Sequence, residues 1–322
     1  MAAAGDSAAP KEAVFSSSED RIRAVQARNV VVGRSIASER AWPGLTPFFR
    51  RSAESLFSVL FPSDCRICGL PLLNVSRLPV CPDCLDKIFP VDGRVCSICG
   101  ERVLSSYALA DDDGWVRCPV CRRIERPFER AVAFGSYDGG LRELVHLLKF
   151  NGVRPAGRVL GRMLAAALAG LEPEFGQEAV LVIPVPLFKG KRRQRGFNQA
   201  EVIARAALKI QGANRRLQLL SGVLLRTRDT HSQIGLTSHQ RRENLRGAFK
   251  VARAAEVNGR EVVLVDDVYT TGTTATECSR VLRRAGASKV WVATAARTMK
   301  EAGFEKAGFK VSGVQGFKVG AA

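Results

Sequence analysis

The sequence predicts an α/β protein built on a parallel sheet and preceded by a small cysteine-rich segment. Beyond residue 128, apolar runs of strand length alternate with stretches of helical periodicity, which is the order of a parallel sheet covered on both faces by helices. Between residues 65 and 121 the cysteines recur in C-x-x-C pairs, and no long periodic element there could bury a conventional core. We therefore predict two folded parts of different construction.

The N-terminal region predicts a flexible leader over residues 1–46, rich in Ala, Ser and Arg and without sustained periodicity. It has no apolar signal-peptide core, and no run approaches the roughly 18 apolar residues of a membrane span, so we expect a cytoplasmic protein. A short amphipathic helix ending at Pro62 follows, and we favour packing against the rest of the protein over membrane-surface binding. Its apolar face consists of Phe49, Ala53, Leu56, Phe57 and Leu60.

Four C-x-x-C pairs indicate two zinc ribbons, which we place with the amphipathic helix in a domain over residues 47–128. Two such pairs can complete one tetrahedral zinc site. The first and third pairs continue into glycine, as CRICG and CSICG, whereas the second and fourth read CPDC and CPVC. This repeated order favours sequential pairing, although the spacing alone leaves interleaved sites open. The eight candidate ligands are Cys65, Cys68, Cys81, Cys84, Cys96, Cys99, Cys118 and Cys121.

Disulfides and redox chemistry are the competing interpretations of these cysteines. Disulfides are disfavoured in a chain without an export signal, and redox-active pairs usually occur singly on a βαβ scaffold. Closed four-thiolate sites have no open coordination position, so we expect about two structural zinc ions per chain, whose binding free energy replaces a hydrophobic core. The ninth cysteine, Cys278, lies in a helical pattern with apolar neighbours and is predicted to be a core residue.

We place the α/β domain at residues 129–298. Apolar runs at 131–137, 179–185, 261–266 and 289–296 predict strands, and helical periods appear at 139–149, 156–170, 197–210 and 273–285. Residues 299–322 are rich in glycine and lysine and predict a loosely held tail.

The charge distribution indicates an anionic partner such as phosphate, nucleotide or nucleic acid. The chain has 49 Lys and Arg against 31 Asp and Glu, a net charge of +18. The excess lies in residues 129–322, and the stretch from Lys189 to Arg228 contains eleven bases and one acid. That density exceeds what a solvated surface requires.

The most specific stretch is VVLVDDVYTTGTT, from Val262 to Thr274. A buried strand ends in two carboxylates, at the edge where open α/β sheets bind ligands. The turn that follows enters a helix near Thr274, and its glycine, free amides and hydroxyls suit a monophosphate. The carboxylates suit sugar hydroxyls and could help to hold Mg²⁺. A Rossmann site and a P-loop are excluded because neither glycine fingerprint is present.

This string resembles the 5-phosphoribosyl diphosphate (PRPP) signature of type I phosphoribosyltransferases. With LFPSDCRICG at residues 60–69, the R-x-R-G-F-N-Q segment that begins at Arg193, and residues 226–249, the chain resembles the ComF family over about residues 56–298. The resemblance implies a type I phosphoribosyltransferase-like domain with a hood, behind an N-terminal zinc finger. It also implies an association with DNA uptake in natural competence. The leader and the tail depart from the family outline.

The resemblance further implies roles for individual residues. PRPP would place its ribose hydroxyls on Asp266 and Asp267, and its diphosphate would face a basic loop at residues 186–195. Arg193 and Arg195, together with Mg²⁺, would stabilise the departing diphosphate, although a solvated turn is the alternative for both arginines. The 5-phosphate would lie on Thr270, Thr271, Gly272, Thr273 and Thr274.

Two further segments complete the implied site. Residues 226–246 would form a mobile hood that excludes water, with Arg228, Gln233 and Arg241 as candidates for contact, each of them equally well a surface residue. Lys149 would either reach a phosphate or cap the C-terminus of its helix. His146 is expected to be structural, and we expect no catalytic role for His231 or His239.

Two functions fit these features. The first is an enzyme that transfers phosphoribosyl from PRPP to an unidentified nitrogen acceptor and releases diphosphate. The second is a nucleic-acid-handling protein of the competence machinery that binds PRPP or nucleotide without turnover, with single-stranded DNA and competence proteins as partners. Salt-dependent DNA binding with intact PRPP would favour the second.

Overall fold

The computed structural model describes residues 63–72, 76–103, 116–211, 216–230 and 237–299. All of these residues lie in one of the two compact units of the chain, Pro62–Ala322. The predicted leader, the amphipathic helix before Pro62 and the tail lie outside the described residues. None of the helices in the described part of the chain has the length and hydrophobicity of a membrane-spanning segment.

The centre of the fold is a five-stranded parallel sheet with the strand order β1-β7-β6-β2-β3. The four predicted strands are present, and two longer strands, β6 and β7, form its middle. A separate antiparallel pair, β4 and β5, lies beside it. The strands are β1 (Ala131–Ser136), β2 (Val180–Pro184), β3 (Leu217–Leu219), β4 (Leu224–Arg226), β5 (Phe249–Val251), β6 (Glu261–Tyr269) and β7 (Lys289–Arg297).

Helices cover both faces of this sheet, as the alternating pattern predicts. The four long helices begin and end within two residues of the predicted periods. Shorter helices occur within both ribbons, after β2 and between β4 and β5. The helices are α1 (Pro82–Asp86), α2 (Pro119–Arg123), α3 (Gly139–Lys149), α4 (Arg154–Ala169), α5 (Lys189–Arg195), α6 (Gln199–Ile210), α7 (Ser238–Leu245) and α8 (Thr273–Arg284).

Two hydrophobic cores lie on opposite faces of the sheet because successive strand residues point to opposite sides. On β6, Val263 and Val265 pack in the core formed with α3, α4 and α6, whereas Val262 and Leu264 pack in the core formed with α8 and the β4–β5 pair. Cys278 is fully buried in the second core, as predicted. The carboxyl end of β6 therefore places consecutive side chains on different faces.

The cysteine-rich segment forms two similar ribbons. In each, a C-x-x-C turn ends at a glycine with left-handed φ, Gly69 in the first ribbon and Gly100 in the second. The CPDC and CPVC pairs each begin a short helix, with proline in its first turn and the first cysteine of the pair as N-cap. The first ribbon packs in the core of α3 and the second in the core of α8, so each ribbon extends one hydrophobic core.

Candidate phosphoribosyl and metal sites

The candidate phosphate loop joins the carboxyl end of β6 to the first turn of α8. Its pivot is Gly272, which has a left-handed φ of 75° and is the N-cap of α8. A Cβ added at this position would lie 2.5 Å from Tyr269 Cζ, so only glycine fits. Thr271 Oγ1 and Thr273 Oγ1 lie 2.9 Å apart across the turn. The amides of the first helical turn and these hydroxyls form an arrangement that suits a phosphate.

The carboxylates of Asp266 and Asp267 lie directly before this loop. Asp266 lines a cavity of about 20 Å³, room for about one water molecule, between the sheet and Thr270, Gly272 and Thr273. Asp267 is only 3% exposed and lies on the other face of the sheet. Each carboxylate accepts a 2.9 Å hydrogen bond from the next amide along the chain, which fixes its orientation.

Lys149 has a partner that neither sequence interpretation expects. Its ammonium forms an ion pair with Asp267 Oδ2, and both side chains are largely buried. Burial lowers the pKa of Lys149 to about 8; the negative charge of Asp266 opposes this shift, and the positive charge of Arg195 adds to it. The pair therefore places a cation beside a carboxylate that is almost fully shielded from solvent.

Burial also raises the pKa of Asp266 to about 6, and the charges of Lys149 and Arg226 partly offset that increase. Arg226 ends β4; its guanidinium lies 5.6 Å from the centre of the Phe249 ring and bonds to the Thr230 hydroxyl. Arg226 is not among the site residues that the sequence predicts. Its only signal was its position at the start of the predicted hood.

The predicted basic loop at residues 186–195 is wrong in part, because Lys189–Arg195 forms the helix α5. Gly196, with a φ of 79°, ends the helix, as is usual for a left-handed C-cap. Arg195 bonds to Gln199 and lies 5.8 Å from the centre of the Phe150 ring, close enough to influence Lys149. Arg193 is exposed on α5, so the structure brings Arg195 but not Arg193 close to Lys149.

A larger cavity of about 480 Å³ lies between the carboxyl end of β2, α5 and the β4–β5 pair. It is within the size range of small-molecule sites. Asn198, the N-cap of α6, donates to Val185 O at 3.0 Å and fixes the chain after β2. Charged side chains dominate its polar lining, namely Lys189, Arg192, Glu201, Arg226 and Lys250.

The structure describes the hood only in part. Arg228 donates to the carbonyls of Asn244 and Arg246, at 3.2 and 2.7 Å, and so closes the base of the hood near the end of α7. Gln233 and His231 lie outside the described residues, as do the side chains of Arg241 and His239. His146 packs against the rings of Tyr137 and Phe150.

The eight paired cysteines form two groups, in the sequential order that the repeated knuckles favour. In each group the four sulfur atoms lie within 4.8 Å of one another. Cys68 Sγ and Cys81 Sγ are 3.8 Å apart, and Cys99 Sγ and Cys118 Sγ are 3.7 Å apart. A tetrahedron with zinc–sulfur bonds of about 2.3 Å has edges of about 3.8 Å, so both groups fit zinc.

Parallel topology, the loop after β6 and the two four-cysteine groups together define a phosphoribosyltransferase-type α/β protein behind a double zinc ribbon. The Phosphoribosyl transferase domain family matches residues 193–321. The DNA utilization protein YhgH of Escherichia coli O157:H7 is 32% identical over 74% of this chain and 98% of its own length. Competence protein F of Haemophilus influenzae is 32% identical over 68% of this chain and 91% of its own length.

The chain belongs to the ComF family. A solved structure, that of glutamine phosphoribosylpyrophosphate amidotransferase from B. subtilis, is 27% identical over 44% of this chain and 26% of that protein, with a TM-score of 0.28.

Proposed function

We propose that this protein binds PRPP with Mg²⁺ and transfers its phosphoribosyl group to a nitrogen acceptor. The observation that supports the proposal best is the junction of β6 and α8, where two fixed carboxylates precede a loop that accepts only glycine at residue 272. In the proposed complex the 5-phosphate binds the amides and hydroxyls of residues 270–274, and Asp266 and Asp267 accept hydrogen bonds from the ribose hydroxyls.

The large cavity would take the diphosphate and the acceptor. Its cationic side chains would face the negative charge that builds on the departing diphosphate. Arg226 lines this cavity and is close enough to Asp266 to influence its pKa. A guanidinium stabilises such charge more strongly in the transition state than in the ground state. Mg²⁺ would supply further charge neutralisation on the diphosphate.

Diphosphate release from PRPP in the presence of Mg²⁺ tests this proposal, with ammonium and free nucleobases offered as acceptors. We expect release in the native protein and a loss of at least a hundredfold in Asp266→Asn and Asp267→Asn. Asp92→Ala is the matched control, because that side chain is 93% exposed on a ribbon. Release at the native rate in both asparagine variants would overturn the assignment of the carboxylates.

A second function is favoured by the names of the relatives, which refer to competence and DNA utilization. In this alternative the site binds PRPP or a nucleotide without turnover, and the basic surface that includes α5 contacts single-stranded DNA in the competence machinery. PRPP that binds yet stays intact, together with DNA affinity that falls steeply with salt, would favour it over the enzyme.

A further inference from the structure

The second four-cysteine group and the phosphate loop share one hydrophobic core. Tyr269 and Ala275, on either side of the loop, pack in the core that also contains the second ribbon. The first ribbon instead packs beside α3, where Ile67 and Ile88 lie close to Gly140 and leave little room for a larger side chain there. The two four-cysteine groups therefore have different neighbours, although their sequences are similar. The second packs in the core that contains the residues flanking the phosphate loop, and the first packs beside α3.

Arg297 joins the second ribbon to the sheet. It ends β7, is only 3% exposed, and donates through Nη1 to the carbonyl of Cys99. Its Nη2 lies 3.8 Å from Cys99 Sγ and 2.8 Å from Glu101 Oε2. With zinc bound, four thiolates and a divalent ion carry two net negative charges, which a buried guanidinium beside one sulfur stabilises.

The same guanidinium contacts the residue that supports the phosphate loop. Arg297 Cζ lies 4.6 Å from the centre of the Tyr269 ring, within the range of a cation–π contact. Tyr269 is buried, and its ring occupies the space that a side chain at residue 272 would need. The position of Arg297 therefore sets the position of the ring against which the loop turns.

A second contact also joins the second ribbon to the phosphate loop. Arg126, which follows the last cysteine pair, donates to the hydroxyl of Thr276 at 3.1 Å. Thr276 lies in α8, and its amide donates to the carbonyl of Gly272 at 2.8 Å. The second ribbon is thus linked to both ends of the phosphate loop. Arg297 connects it to Tyr269 before the loop, and Arg126 connects it to Thr276 in α8 after the loop.

We infer that Arg297 is a positioning residue that couples metal binding at the second ribbon to sugar-phosphate binding at the loop, and that the first ribbon lacks this coupling. The inference rests on the proposed function of the loop. Coupling between two binding sites is reciprocal. If bound metal raises the affinity of the loop for its ligand, then the ligand raises the affinity of the ribbon for metal by the same factor. A bound sugar phosphate should therefore protect one zinc ion and leave the other unaffected.

The experiment is chelator-driven zinc release from the full chain, followed with a zinc-binding dye, with and without saturating ribose 5-phosphate. We expect two release phases and a slowing of one of them on addition of the sugar phosphate. Equilibrium competition with the same chelator should show zinc bound about tenfold more tightly at that site, in the middle of the usual range of coupling. Cys68→Ser, which removes a ligand of the first group, should keep the protected phase, and Cys99→Ser should lose it.

Two substitutions test the role of Arg297 itself. Arg297→Met should make release independent of ribose 5-phosphate, whereas Arg130→Met, which breaks an arginine–glutamate pair near the opposite end of the sheet, should leave the protection intact. If Arg297→Met fails to fold, Tyr269→Leu serves instead, since it removes the ring and leaves the contacts of Arg297 with Cys99 and Glu101.

Calorimetric titration of ribose 5-phosphate into the same native preparation separates the two possible failures. Absence of binding would overturn the proposed function. Binding without any change in either release phase would overturn the coupling alone, and so would equal protection of both zinc ions.

Discussion

Gly272→Ala tests the geometry of the phosphate loop. Alanine at a φ of 75° is strained by about 1–2 kcal/mol, because its Cβ approaches the following carbonyl. Its Cβ would also lie 2.5 Å from Tyr269 Cζ, and overpacking of this kind costs about 1–3 kcal/mol. The two costs sum to about 2–5 kcal/mol, so if the loop opens to relieve even half of that strain, sugar-phosphate affinity should fall by about fivefold to seventyfold.

Gly259→Ala is the matched control. Gly259 has nearly the same φ, 74°, and lies just before the opposite end of β6, with nothing within 4 Å of an added Cβ. The Gly259→Ala variant should lose unfolding free energy because of its backbone strain, with no added steric clash, and should bind ribose 5-phosphate with native affinity. The measurements are calorimetric binding and urea unfolding of each variant. Native affinity in Gly272→Ala would refute the assignment, and combining it with Tyr269→Phe should restore part of the binding.

Three further predictions concern the metal groups and the buried charges. Metal analysis should find about two zinc ions per chain, and a folded, metal-free preparation with intact thiols would contradict this. Lys149→Met should lower the free energy of unfolding by about 3–5 kcal/mol, because it leaves Asp267 buried without its cation. The double variant Lys149→Met, Asp267→Asn should lose less unfolding free energy than the sum of the losses in the two single variants. The pKa of Asp266 is raised to about 6 in the folded protein, so ionisation of Asp266 opposes folding. The native protein should therefore gain unfolding free energy relative to Asp266→Asn as the pH falls from about 7 to 4. A difference between the two proteins in urea unfolding that does not change with pH would contradict this.

The sequence predicted the long elements well, because their apolar periods are sustained. The helix predicted at 139–149 is Gly139–Lys149, and its buried positions recur every three or four residues. The repeated knuckle order likewise predicted the pairing of the cysteines, since each ribbon repeats the same turn followed by a short helix.

Elements without an apolar period were missed. Lys189–Arg195 has no buried residue, so nothing in its pattern distinguishes a helix from a basic loop. The structure holds it through Gly196 at its C-terminus and through Lys191, which contacts the carbonyl of Thr230. Strands of three residues, such as Leu217–Leu219, are too short to establish alternation.

Contacts between distant segments were also beyond sequence reasoning. Lys149 and Asp267 meet only because α3 lies against the face of the sheet to which Asp267 points. Arg297 reaches Cys99, 198 residues away, because the second ribbon packs on the opposite face. Both contacts depend on which face of the sheet Asp267 of β6 and Arg297 of β7 point to, and on the strand order. The local sequence pattern contains neither.

A crystal of the full chain grown with ribose 5-phosphate tests the central claim most directly. The account predicts the phosphate within hydrogen-bond distance of the amides of residues 271–274, with the ribose hydroxyls on Asp266 and Asp267 near the end of β6. A phosphate bound instead on the basic surface of α5, with the turn at Gly272 empty, would contradict it.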